Sequence, residues 1–314
     1  MLNSGTVSLL NGVIYGLLLF MVSAGLTLIF GMMGVLNFAH ASFYMVGAYL
    51  AYTLQKVVGF TTAVVLSTVL VGLLGVIVER FFLRRVHKHG HAHELLLTFG
   101  LTFIIAELIK LFYGNFSVEY RVPEFLNFAA FQVFSTDYPF YRLLMGVVSL
   151  LVFGLIYLLL TRTRVGIVVR AAIHRPQMAE ALGHNVPLVF MAVFGIGAAL
   201  AGLAGALAGA FYTTNPNMAL ELGVIVFVVV VVGGLGSMAG AMIASLLIGL
   251  ISSFAVGVDL SLASLLGLLG AGDWAQQMGG LMTLKVSSVA ATIPFALMLL
   301  ILLIRPSGLM GEKG

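Results

Sequence analysis

Asn37, His40 and Ser42 place an amide, an imidazole and a hydroxyl close together in Val35-Leu-Asn-Phe-Ala-His-Ala-Ser-Phe-Tyr44, a stretch otherwise apolar. Such groups bind a polar solute by hydrogen bonding, and at membrane depth each needs a partner. Two readings stand: they line a water-filled path, or they satisfy neighbouring helices. The alternation His87, His89, His91, His93 is a chelator's pattern, yet no carboxylate or Cys scaffold fixes a geometry, so a solvated loop and no metal site are expected. Glu107 and Lys110 stand at i, i+3 and are expected to neutralise one another near a membrane surface, with a proton relay as the alternative. The chain has no Cys, which removes disulfides and thiolate chemistry. No G-x-x-x-x-G-K-[ST] phosphate loop occurs either, so the chain does not hold ATP by that device.

The elements that must carry these residues are membrane helices. With 314 residues, 61% of them hydrophobic and only 8% charged, the chain reads as an all-α, polytopic transmembrane helical bundle. No polar stretch is long enough to enclose a core of its own, so residues 1–314 read as one transmembrane domain. A net charge of +4 confined to short loops speaks to orientation and against nucleic-acid binding. The first apolar run lacks a basic n-region and a small-residue cleavage site and reads as a retained span.

Apolar runs occupy 7–30, 57–78, 95–113, 140–160, 188–211, 223–232, 241–256 and 290–304, with 36–54 either spanning or re-entering. That makes about eight or nine membrane segments. Gly31 and Gly34 precede 36–54, and Gly233-Gly-Leu-Gly-Ser237 follows the Val-rich run 223–232, which is too short to span alone. Both therefore read as broken helices, and their places in opposite halves raise an internal repeat. Gly197, Ala201, Gly205 and Gly209 form a small-residue stripe suited to close helix packing. Stretches 114–139 and 259–288 read as external, Trp274 being an interface anchor in the second.

Residues 161–187 carry Arg162, Arg164, Arg170 and Arg175. Each would cost about 2.5–3.5 kcal/mol at a bilayer centre, so this segment stays in water on the cytoplasmic side. Arg80, Arg84, Arg85 and Lys88 place their loop on that side as well, and Arg305 and Lys313 place the C-terminus there. The N-terminal end has no Lys or Arg to decide its side. Within 161–187, Pro176 suits a first helical turn and Gly183 a C-terminal stop. Met178 and Leu182 share a face at i, i+4 while Ala179 and Ala181 keep the helix slim. The result is a short apolar knob, which either docks in a partner's groove or packs on its own protein.

Several patches together resemble LivH-type permeases, the inner-membrane subunits of branched-chain amino acid ABC importers. They are Gly25-Leu-Thr-Leu-Ile-Phe-Gly31, Val35-Leu-Asn-Phe-Ala-His40, Met45-Val-Gly-Ala-Tyr49, Thr98-Phe-Gly100 and Thr163-Arg-Val-Gly166, with Gly183-His-Asn-Val186, Gly233-Gly-Leu-Gly-Ser237 and Arg305-Pro-Ser-Gly-Leu309. They run in order along nearly the whole chain; Ala41 stands where the family has glycine. The resemblance implies a bacterial inner-membrane subunit, not an enzyme, that binds no cofactor itself. Its partners would be a LivM-like permease in a heterodimer, two cytoplasmic ABC ATPases carrying ATP and Mg, a periplasmic amino-acid-binding protein and membrane lipid. It further implies that Arg170, Pro176, Met178, Ala179, Glu180, Leu182 and Gly183 belong to the segment that couples to an ATPase. The two breaks then become gate or path, through Asn37, Phe38, His40, Ser42 and Phe43 on one side and Gly233, Gly234, Gly236 and Ser237 on the other. Related importers for urea, amides or other amino acids are the alternative. A stand-alone secondary transporter or channel is the competing class, but it would need a buried ion-coupling carboxylate, and mid-span acidic residues are nearly absent.

The side assignment is directly testable in this Cys-free background. Single cysteines at His89, Gln177 and Lys313 are expected to react with an impermeant maleimide only from the cytoplasmic face; labelling of any one from outside breaks the assignment.

Overall fold

Inside a bilayer a backbone must satisfy its own hydrogen bonds, so apolar runs of this length fold as helices. The computed structural model describes residues 2–133, 136–257, 261–267 and 272–311. Helices α1 (Leu2–Met33), α2 (His40–Val58), α3 (Phe60–Val86), α4 (His91–Tyr113) and α5 (Phe140–Arg162) form the first half. A short pair, α6 (Arg164–His174) and α7 (Pro176–Ala181), leads to α8 (Val186–Phe211), α9 (Met218–Gly233), α10 (Met238–Gly257) and α11 (Ile293–Ile304). Seven helices are long and apolar enough to cross a membrane, counting α11 with the 3-10 turn before it. The 19-residue α2 and the shorter α9 bring the set to nine among the described residues, and α2 starts beside Val22, midway along α1. Strand content among the described residues is one small antiparallel hairpin in the external stretch, β1 (Ala129–Val133) with β2 (Thr136–Pro139).

One expectation needs correcting. Residues 79–94 are helical rather than a loop, though His87, His89, His91 and His93 are exposed as expected: α3 continues through a π turn at Glu79–Leu83 and a 3-10 turn at His87–His89, reversing only at Gly90. Glu79 and Glu94 are buried there because each has an opposite or polar partner. Arg84 pairs with Glu79 at 3.2 Å, and His87 and His91 both turn Nδ1 to the Glu94 carboxylate. No metal-binding group of three or more His, Cys, Asp or Glu occurs among the described residues. At the far end of α4, Lys110 meets Glu107 at 2.8 Å.

The structure also shows which other ends the N-terminal end lies with. Ser253, near the end of α10, donates to the Ser8 carbonyl of α1, and Arg142 and Tyr138 reach Asn11. The start of α1 thus lies with the external stretches, opposite the Arg-bearing ends of α3 and α5. In this frame α1–α4 and α8–α11 run in opposite senses with matching partners, since α1 packs on α10 as α3 packs on α8. That is an inverted-topology repeat. Its equivalences differ from those read in the sequence: α2 corresponds to α9, and the turn at Gly59 corresponds to the one at Gly234.

The seam between α2 and α8 depends on the absence of side chains. A Cβ on Gly205 would strike the Tyr44 carbonyl, and one on Gly47 would strike Gly202 backbone. The stripe Gly197, Ala201, Gly205, Gly209 is buried along this seam and against α1, the packing the sequence spacing predicts.

Gly205→Ala is therefore expected to push α2 off α8 and cost on the order of 1–3 kcal/mol. Gly100→Ala adds a Cβ with nothing within 4 Å and should be near neutral. Thermal unfolding of the two purified variants separates them, and an unchanged midpoint for Gly205→Ala refutes the seam.

Candidate functional site

Helix α1 stops where Gly34, at φ 66°, turns the chain. The break 34–39 is closed locally: the Asn37 side-chain oxygen accepts from Ala39 N–H at 3.1 Å, and Phe38 N–H donates to Thr98 Oγ1 of α4 at 3.3 Å. These bonds restart the helix at His40, so Asn37, His40 and Ser42 are buried at the inner end of α2. His40 Nε2 lies 2.9 Å from the Val22 carbonyl, so it donates there and leaves Nδ1 as an acceptor. That Nδ1, Asn37 Nδ2 and Ser42 Oγ have no partner among the described residues. Buried orphans of this kind are where water or a solute completes the site.

A cavity of 210 Å³ opens beside them between α2, α4 and α9. Asn37, Phe38 and His40 line it with Phe99, Thr102 and Phe227. Phe38 stacks on Phe227 at 6.0 Å and meets Phe99 edge-on at 6.3 Å, giving an aromatic wall facing a few polar groups. Ser42 and Phe43 do not line this cavity. Phe43 is fully buried and packs edge-on against Phe194 of α8 at 6.1 Å, because two steps of helix turn it to the core side.

The second break has another role as well. Helix α9 ends at Gly233, and its last carbonyls are met by the chain's C-terminal segment: Leu309 N–H donates to Val232 O at 2.8 Å and Met310 N–H to Gly233 O at 3.0 Å. Gly234, at φ 101°, lies so close to Gly311 and Met310 that a Cβ would collide with their backbone. The Gly233–Ser237 and Arg305–Leu309 motifs, separate in the sequence, are two halves of one lock. Gly233 and Gly234 are spent in that packing, while Gly236 and Ser237 line a 410 Å³ cavity with Thr27, Gly31, Arg170 and Met310. Since Gly31 abuts Gly236, the ends of the two breaks meet beside Arg170. Sequence reasoning missed Gly308, Leu309 and Met310; the Pro306 and Gly308 turn was the available signal.

Thr163 caps α6 by accepting from Gly166 N–H at 3.1 Å. Arg170 on that helix donates back to the Leu160 carbonyl, which holds it at the mouth of the 410 Å³ cavity. Pro176 opens α7 and Gly183, at φ 86°, closes it. Both sequence readings of α7 find a counterpart. Ala179 is buried against Ala172 and Val186, whereas Met178 and Leu182 are 58% and 78% exposed, and Glu180 faces out too. Arg84 ties the end of α3 to the same region through the Pro187 carbonyl at 2.9 Å.

The family model described as branched-chain amino acid transport system, permease component, matches residues 8–302. The chain is similar to the high-affinity branched-chain amino acid transport system permease protein BraD of Pseudomonas aeruginosa, 28% identical over 97% of this chain and 95% of that protein. It is similar to the permease protein LivH of Escherichia coli, 28% identical over 96% and 94% of the two chains. A probable LivH of Methanocaldococcus jannaschii is 29% identical over 77% of this chain and 78% of that one. No solved structure matches.

The C-terminal lock generates its own test. In Gly234→Leu the new side chain displaces residues 308–311, so a cysteine at Leu309, partly buried in the parent, should react with maleimide about tenfold faster or more. An unchanged rate means the segment is not seated on α9.

Proposed function

This chain belongs to the family of permease components of branched-chain amino acid transport systems, and we propose that it forms one half of the membrane channel of an ATP-driven importer. Its substrate class is the branched-chain, hydrophobic amino acids. The observation that carries the coupling part of this reading is the outward turn of Met178 and Leu182 on α7, an apolar pair exposed at the Arg-rich end. Water gives such a pair no partner, whereas a groove on a cytoplasmic ATPase does.

The division of labour follows. Two ATPase subunits hold ATP and Mg, a LivM-like permease supplies the other half of the channel, and a periplasmic binding protein delivers substrate to the outer face of the inner membrane. Movement of the ATPases reaches α7, which is anchored by Ala179 and sits directly before α8. Because α8 packs on α1, α2 and α3, its tilt moves the wall of the membrane-depth cavity. There the orphan groups of Asn37 and His40 receive the zwitterionic end of the amino acid, and Phe38, Phe99 and Phe227 receive its side chain. The aromatic wall favours hydrophobic amino acids over urea or small amides.

Replacing Met178 and Leu182 by Asp removes about 3–6 kcal/mol of apolar burial and adds unpaired charge to the contact. ATPase affinity is expected to fall at least about a hundredfold. The variant should insert normally yet neither retain ATPases on purification nor support ATP-driven leucine uptake. Retention of both overturns the coupling assignment.

A further inference from the structure

At the outer end, α1, α5, α9, α10 and the approach to α11 enclose a cavity of 610 Å³ that the transport reading has not used. Its polar wall includes Ser8, Asn11, Tyr15, Tyr212 and Ser253, and none of its described lining residues is acidic. Among the described lining residues one is a cation, Arg142 in the first turn of α5. Arg142 Nη1 donates to Asn11 Oδ1, which also accepts from the Tyr138 hydroxyl at 3.4 Å, and the guanidinium lies 4.8 Å from the Phe211 ring. Among the described residues Arg142 forms no ion pair; besides Asn11 it meets Tyr138, over whose ring the guanidinium lies at 6.0 Å.

A guanidinium stays charged, and its planar fork matches a carboxylate with two parallel hydrogen bonds. Asn11 and Phe211 orient the fork without neutralising it, since an amide oxygen and a ring carry no net charge. The contacts to Asn11 and Tyr138 tie the hairpin to α1, yet they leave the positive charge without a counter-ion among the described residues. The hydroxyl oxygens around the cavity are acceptors for an ammonium, and Ile14, Ile225 and Val256 supply an apolar wall. The cavity also adjoins the membrane-depth one: Ile225 of α9 faces the outer cavity while Val224 and Val226 line the inner.

We propose that Arg142 reads the α-carboxylate of an incoming amino acid in an outer vestibule, before the substrate passes α9 to the Asn37–His40 cavity. This rests on the importer reading and assigns to it a place and a charge. A phospholipid headgroup offers the same anionic chemistry, and the test separates the two sources.

The full-length chain, in nanodiscs of zwitterionic phosphatidylcholine, is titrated with tritiated leucine by equilibrium dialysis. The competitors are 4-methylpentanoate, which keeps the carboxylate, and leucinamide, which lacks it. In the parent protein 4-methylpentanoate should displace leucine and leucinamide should fail to. Arg142→Gln should weaken leucine binding about tenfold or more and erase the carboxylate preference. Arg142→Lys keeps the charge and should retain the preference at reduced affinity. Equal competition by leucinamide in the parent protein overturns the proposal without any variant having to fold, as does unchanged affinity in Arg142→Gln. Leucine binding that is absent while an anionic phospholipid co-purifies with the parent chain and not with Arg142→Gln assigns the site to lipid and also overturns it. ATP-driven leucine uptake by the assembled parent transporter is measured alongside. If uptake stands and the carboxylate preference does not, the vestibule assignment alone has failed; if the parent assembly shows no uptake, the importer reading has failed.

Discussion

The absence of water in a bilayer governs this structure more than any single contact. A helix broken at membrane depth exposes N–H and C=O groups that cost several kcal/mol each when left unpaired. Both breaks here are closed by a distant part of the chain. Thr98 of α4 meets the Phe38 N–H after α1, and Leu309 and Met310 meet the carbonyls at the end of α9. Each break is thereby fixed in place, and each is tied to a helix or segment that would otherwise lie at the edge of the bundle.

Close backbone approach is the second requirement. Lipid tails are as apolar as the helices, so helices associate through packing rather than through expulsion of water. The seams of α8 with α2 and of α1 with α10 meet that need with small residues, Gly205 under the Tyr44 carbonyl and Gly16 against Leu246. The inverted repeat follows the same logic: one packing solution, α1 on α10, recurs as α3 on α8, leaving α2 and α9 to carry interrupted ends beside the centre. The polar groups of Asn37 and His40 and the aromatic wall of Phe38 lie at this junction, on the face of α2 directed to α9.

Charge is distributed by side and by task. Arg84 is neutralised by Glu79 and holds Pro187, Arg170 closes onto the end of α5, and Arg142 meets Asn11 with no acidic partner among the described residues. Arg162, Arg164 and Arg175 are exposed, which suits α6 and α7 to water.

The sequence by itself determined the helical class, most span positions and the shape of α7. Those properties depend on local composition and on periodicity, which a bilayer converts almost directly into structure. The small-residue stripe on α8 was legible for the same reason. Tertiary structure alone decided the rest. The N-terminal end had no charge to announce its neighbours, which became visible only when Ser8 and Asn11 met Ser253 and Arg142. Phe38 and Phe43 look alike in sequence, and the helical restart at His40 sends one to a cavity and the other to the core. Gly234 reads as a hinge until Gly311 is seen filling the space its side chain would need. In each case the deciding partner lies far along the chain, and spacing within one segment carries no information about which distant backbone will close on it.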